Sequence, residues 1–156
     1  MTADADADPA LGSLADPYPV VPAPGPLHAT VTVPGSKSVT NRALVCAALA
    51  DGPSVLAGAL IADDTEAMIG VLAALGIAVQ VDEAGATLRV VGSGGQLPAT
   101  EAMVDVRQSG TTARFALPML ALGRGHYRVD AHPQMRARPM DATFEALRTQ
   151  IGRAHV

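Results

Sequence analysis

The run Pro34-Gly35-Ser36-Lys37-Ser38-Val39-Thr40-Asn41-Arg42 holds the single lysine of a 156-residue chain that otherwise uses arginine for every long-chain cation. The two groups are not interchangeable: lysine offers a compact, mobile point charge, arginine a planar fork of donors. A Gly/Ser turn that opens a helix aims free backbone N–H groups and the positive end of a dipole at whatever lies in front. Ser38, Asn41 and Arg42 are spaced i, i+3, i+4, so they share one face of the opening turn, and Lys37 stands just before it. A hydroxyl, an amide, a guanidinium and an ammonium gathered at a helix start suit a phosphate- or carboxylate-bearing small molecule. Helix capping alone would account for Ser38, but not for Lys37 and Arg42 together.

Two further stretches carry similar chemistry. Gln108-Ser109-Gly110-Thr111-Thr112-Ala113-Arg114 again sets a glycine turn at a helix start, with Arg114 four residues after Gly110. Glycine there lets a ligand approach the backbone closely. Pro133-Gln134-Met135-Arg136-Ala137-Arg138-Pro139 places two arginines in a Pro-bounded turn, where they can clamp a carboxylate by paired hydrogen bonds. Lys37 is not a P-loop lysine, because Ser36 rather than glycine precedes it. His28, His126, His132 and His155 show no metal-ligand spacing, among themselves or with Cys46. Asp63-Asp64 reads as a helix cap rather than a general base.

The elements that must position these residues follow from patterning. Residues 1–26, rich in Ala, Asp and Pro, read as a disordered tail and extended lead-in. Leu27, Ala29, Val31 and Val33 alternate and predict a strand over 27–33 that stops at Pro34. A helix over 38–50 ends at Asp51-Gly52-Pro53, and a strand over 54–60 follows. Asp63 and Glu66 stand at capping-box spacing, ahead of a helical stripe of Met68, Ile69, Leu72 and Leu75 that closes at Gly76. Ile77, Val79 and Val81 form a strand, which turns through Asp82-Glu83-Ala84-Gly85 into a partner at 87–91. Gly92-Ser93-Gly94-Gly95 is a loop.

The pattern then begins again: a strand at 103–106, a helix at 110–122, a strand at 126–131, and a helix at 141–150 entered through Pro139. A shift of 72 residues lays Arg42 on Arg114, Met68 on Met140 and Leu75 on Leu147, which marks an internal repeat. The chain reads as a βαβαββ unit followed by a cut copy.

Composition narrows the function classes. Apolar residues make up 49% of the chain but include two Phe, two Tyr and no Trp, so the core is built from small side chains, as in α/β layers. A formal charge of −4 argues against sequence-independent nucleic-acid binding, which needs a basic surface. The lone Cys46 lies in the apolar stretch 43–50 and reads as a small buried hydrophobe in a reducing compartment. The acidic N-terminus has no signal-peptide pattern, and 43–50 is too short to cross a membrane. The chain reads as soluble and cytoplasmic, with neither nucleic acid nor membrane as partner.

The three motifs, in this order and spacing, resemble the N-terminal part of the 5-enolpyruvylshikimate-3-phosphate synthase family (3-phosphoshikimate 1-carboxyvinyltransferases). The resemblance runs from about residue 27 to 150. It implies an α/β (α+β) fold of two domains, each of three βαβαββ units around a pseudo-threefold axis: an inside-out α/β barrel with substrates in the cleft. Residues 27–34 would then belong with the other domain. Residues 35–150 would form a partial domain, with a first unit at about 35–100 and a truncated second at about 101–150, some one and a half units in all.

The implied reaction moves the carboxyvinyl group of phosphoenolpyruvate to the 5-hydroxyl of shikimate 3-phosphate and releases phosphate, without metal or cofactor. By similarity Lys37 touches both substrates, Ser38 and Arg42 hold shikimate 3-phosphate, and Gly110 and Arg138 hold phosphoenolpyruvate. Thr111 and Arg114 shape that pocket. The remaining clamp and the acid/base groups would lie beyond Val156, so the fragment alone is expected to be inactive and the full-length enzyme monomeric. Residues 151–156 fit neither the repeat nor the family pattern and read as a non-native tail.

This chain departs from the family at Gln108-Ser109, where Asn-Ala is usual, at Phe115, where proline is common, and at Gln134, often Arg. An alternative is a UDP-N-acetylglucosamine enolpyruvyl transferase-like enzyme. That sister family would carry Gly-Ala-Lys-Asn at 35–38 and a cysteine in the arginine turn, where this chain has none. The non-enzymatic alternative is an anion-binding module.

Overall fold

The computed structural model describes residues 19, 22–84 and 86–151, and the chain divides into two units, residues 1–32 and 33–156. The expected disordered stretch at 1–18 and 20–21, Gly85 of the predicted turn, and the tail at 152–156 lie outside the described residues. In the first unit the described residues carry neither helix nor strand. The strand expected over 27–33 is therefore not present, and Leu27, Val31 and Val33 are 81%, 77% and 75% exposed. Alternation marks a residue as fit for a sheet, but a strand exists only when its N–H and C=O groups find a neighbouring ladder.

In the second unit, α1 (Lys37–Leu49) begins at Ser36, whose Oγ accepts the Val39 N–H at 3.4 Å. Leu44, Ala47 and Ala48 face the core. Cys46, on the other side of the same helix, is exposed rather than buried. At 100° per residue it falls opposite the 44/47/48 stripe, so an apolar run with helical periodicity still has a solvent side.

Strand β1 (Pro53–Ala57) follows and the chain reverses at Gly58, where φ is +67°. Helix α2 (Asp63–Ala74) is capped one residue earlier than the acidic pattern suggests, at Ala62. The buried Thr65 hydroxyl accepts the Ala62 N–H at 2.9 Å and donates to the Ala62 carbonyl at 2.8 Å. Asp63, Asp64 and Glu66 sit inside the first turn instead, where the helix dipole favours negative charge.

Strands β2 (Val79–Asp82) and β3 (Thr87–Val91) form a hairpin, and β3 is central in an antiparallel sheet ordered β1-β3-β2. Val55 lies opposite Arg89, and Val81 opposite Leu88. Strands β4 (Glu101–Asp105) and β5 (His126–Asp130) make a separate parallel pair, with Val104 opposite Val129. Helix α3 (Gly110–Leu120) connects them, as a parallel pair requires a crossover. The Pro-bounded turn is a single helical turn, α4 (Pro133–Arg136), with Pro133 at its first position and His132 Nδ1 accepting the Gln134 N–H. Helix α5 (Asp141–Ile151) follows. No helix among the described residues is long and apolar enough to cross a membrane.

Helices α1, α2 and α3 pack on one another, α1 also on β1 and β3, and α2 on β2 and β4. Leu44, Met68, Leu72, Leu75, Ile77, Leu88 and Met119 are the bulkiest side chains of the shared core. At its centre lies a polar junction. Asn41 is fully buried, and its Nδ2 donates to the Asp64 carbonyl at 3.3 Å and to Thr112 Oγ1 at 3.2 Å. The Thr112 hydroxyl in turn donates to the same Asp64 carbonyl at 2.8 Å. Asn41 thus turns away from the anion-facing side on which its spacing placed it and joins three helices instead.

Asn41→Ala removes two buried hydrogen bonds, each worth about 0.5–1.5 kcal/mol net, so it should destabilise the chain by about 1–3 kcal/mol. Denaturant melts of the two proteins measure it, and coincident midpoints would show that the junction carries no weight.

Candidate functional site

The first motif is seated by contacts on both sides of Ser36. A Cβ on Gly35 would lie 2.3 Å from the Gly58 carbonyl oxygen and 3.0 Å from the Leu60 nitrogen, so only glycine lets the turn lie against this backbone. One turn on, the buried Thr40 Oγ1 accepts the Leu60 N–H at 3.1 Å. Lys37 is therefore delivered at the start of α1 from a fixed base, and its Nζ meets Asp64 Oδ2 at 2.9 Å. Ser38 is half-buried in the same turn. The Arg42 guanidinium lies over the Phe115 ring of α3, 5.3 Å from its centroid.

The second motif is held as tightly. Ser109 Oγ accepts the Thr112 N–H at 3.1 Å and caps α3. The loop before it passes through Arg107 at φ +50°, a conformation that costs an L-residue energy and persists only where surroundings impose it. Here the Arg107 N–H donates to Asp105 Oδ1 at 2.8 Å, its guanidinium pairs with Glu66 at 3.0 Å, and its carbonyl accepts the His132 N–H at 2.9 Å.

Gly110 is buried beneath two cations. A Cβ built on it would stand 3.1 Å from Arg138 Nη1, 3.3 Å from Arg114 Nη1 and 3.9 Å from Met135 Cε. Met135 is buried, so α4 is anchored by it against the start of α3, and Arg138 reaches the glycine turn from there. Thr111 is half-buried beside it. Arg136 does not join this group, because its Nε and Nη2 hold Asp130 Oδ1 at 2.9 and 2.6 Å. Of the two arginines expected to act as one clamp, Arg138 alone stands at the glycine turn.

The residue that sequence reasoning passed over is Asp64. Read as a cap, it instead supplies the carboxylate among these cations. Burial alone would raise its pKa. Hydrogen bonds from the Ser109 hydroxyl and Lys37, with the charges of Lys37 and Arg138, outweigh burial and hold the carboxyl below its ordinary value. Its partners lie 27 residues before it and 45 or more after it, so no local spacing signals the role.

Lys37, Ser109, Gly110, Arg114 and Arg138, drawn from three separate motifs, thus converge with Asp64 of α2, and Arg42 is docked on the α3 side. Two capped helix starts and four cationic side chains, tempered by one carboxylate, are suited to bind small molecules carrying several negative charges.

A sequence model of the EPSP synthase (3-phosphoshikimate 1-carboxyvinyltransferase) family matches residues 21–153. A 3-phosphoshikimate 1-carboxyvinyltransferase of Nostoc punctiforme is 48% identical over 124 residues, covering 80% of this chain and 29% of its own length. One of Mycobacterium ulcerans is 48% identical over 137 residues, covering 85% and 31%. The solved EPSP synthase of Acinetobacter baumannii superposes with a TM-score of 0.69 at 26% identity, over 76% of this chain and 27% of that structure.

The fold is that of the enolpyruvyl transferases, here represented by under a third of the length of the relatives matched. Within that class the chain belongs to the EPSP synthase family.

Because the folded-state pKa of Asp64 is depressed, its stabilising effect is fully present above the unfolded-state value near 3.8 and is lost as pH falls through the lower folded value. The stability difference between wild type and Asp64→Asn should therefore be constant from neutral pH to about 5 and shrink in more acidic solution. Thermal melts across that range test it; a difference that stays flat to the acid end would remove the carboxylate from the network.

Proposed function

We propose that this chain supplies the N-terminal part of the substrate site of a 3-phosphoshikimate 1-carboxyvinyltransferase. The reaction transfers the carboxyvinyl group of phosphoenolpyruvate to the 5-hydroxyl of shikimate 3-phosphate and releases phosphate. The convergence of Lys37, Arg114 and Arg138 around Gly110 and Asp64 carries the reading. Both substrates are anions of several charges, and seating them side by side requires a surface that offsets their mutual repulsion. Family membership and the names of the relatives support the choice of this pair.

In this reading Lys37, at the start of α1, contacts both substrates. Ser38 and Arg42, on the same helix, hold shikimate 3-phosphate, while Gly110 and Arg138 hold phosphoenolpyruvate. Arg114 and Thr111 shape the glycine turn. The reaction adds the hydroxyl O–H across the enol double bond, the oxygen to the phosphate-bearing carbon and a proton to the methylene carbon. It then eliminates phosphate with loss of a proton from the methyl group so formed, restoring the double bond. Charge changes on the donor at each step, and fixed cations and helix N–H groups stabilise it without reorganising. Residues 27–34 pair with a second domain of the whole enzyme, which accounts for an alternating segment that forms no strand here. Because the chain spans 29% of the Nostoc punctiforme relative, the isolated chain is expected to show no turnover.

A chimera tests the assignment: this chain's matched segment replaces its counterpart in the Nostoc punctiforme enzyme. Release of phosphate from both substrates is expected. Lys37→Ala in the chimera should cost about 2–5 kcal/mol in transition-state binding, roughly thirty- to several-thousand-fold in kcat/KM, because an anion is left without its partner. Near-normal kinetics in that variant would exclude Lys37 from the site.

A further inference from the structure

Arg42 is held differently from Lys37, Arg107 and Arg136. Lys37 is paired with Asp64, Arg107 with Glu66 and Arg136 with Asp130, so their donors are already engaged. Among the described residues Arg42 has no acidic partner, and its contact is the flat face of Phe115. The ring is itself fixed. Phe115 is half-buried and packs against the hydrophobic core, while Thr112, one turn earlier in α3, is tied to Asn41, one residue before Arg42. The polar junction therefore sets the distance between the two helices, and the ring and the guanidinium meet across that gap.

A guanidinium held over a ring has no carboxylate on its N–H groups, whereas an acidic partner would occupy them. The flexible stem of an exposed arginine would otherwise lose rotamer freedom on binding, and a side chain seated beforehand loses less.

We propose that Phe115 is a positioning residue: its ring seats Arg42 so that the guanidinium, free of an acidic partner, is offered to the acidic group of the acceptor substrate. This rests on the assignment of Arg42 to shikimate 3-phosphate given above. The residue acts only through Arg42, so its effect must vanish when the guanidinium is gone.

The test uses the chain itself, with Arg and Lys side chains isotopically labelled and shikimate 3-phosphate as the probe. In wild type the Arg42 side-chain signals should be displaced by the ring current of Phe115, and that displacement should disappear in Phe115→Leu. Titration should show affinity in Phe115→Leu weakened about two- to five-fold, the range expected for an exposed cation–ring contact. Phe115→Trp should restore it, and Phe115→Leu should have no further effect in an Arg42→Gln background.

Undisplaced Arg42 signals in wild type, or equal affinity in Phe115→Leu while Arg42 still responds to the probe, overturn the platform and leave the site reading intact. A loss that persists in the Arg42→Gln background marks a general packing effect and also overturns it. If shikimate 3-phosphate moves neither the Lys37 nor the Arg42 signals in wild type, the site reading falls, and the platform with it.

Discussion

Positive groups brought close together repel, and the energetic problem of this site is to keep them close. Asp64 meets it with two different parts of one residue. Its backbone carbonyl receives hydrogen bonds from Asn41 of α1 and Thr112 of α3, while its carboxylate takes up Lys37. Three helices are thus fixed to each other at the point where their side chains carry charge. The Oδ1 of Asn41 meets no donor among the described residues, so the junction is not optimised for stability alone. What it secures is placement, the role in which buried polar groups are best attested.

The rest of the architecture serves that placement through smallness. The core relies on Ala, Val, Leu and Met rather than large aromatics, which lets helices approach closely. At Gly35 the backbone itself is the neighbour, and at Gly110 the neighbours are two guanidinium groups. The first glycine sets where α1 begins; the second leaves room in front of α3. Anchored by Met135, the short helix α4 adds a cation from a third direction.

Much of this was legible in the residues because it depends on local chemistry. Serine before a helix, glycine in a turn and an apolar stripe each report on a few neighbours, and α1, α2, α3 and the β2–β3 hairpin were found from them. The failures share a cause of the opposite kind. Whether 27–33 is a strand depends on a partner, not on its alternation. Whether Asn41 faces ligand or core depends on where Thr112 arrives, 71 residues later. Arg136 and Arg138 look equivalent two residues apart, yet Asp130 claims the first and the glycine turn takes the second. Asp64 looked like a cap because its partners are remote. The Thr65 hydroxyl performed the capping from inside the helix, a reversal that acidic spacing does not reveal.

The outward position of Cys46 has a practical consequence. It is the sole thiol of the chain, on the water side of the very helix that starts with Lys37, and nine residues along it, a rise of about 13 Å. A maleimide dye or spin label attached there would be unique and would stay clear of both the core and the cationic group. It would still ride on the element whose first turn carries that charge, giving a reporter of any shift of the helix without an added mutation.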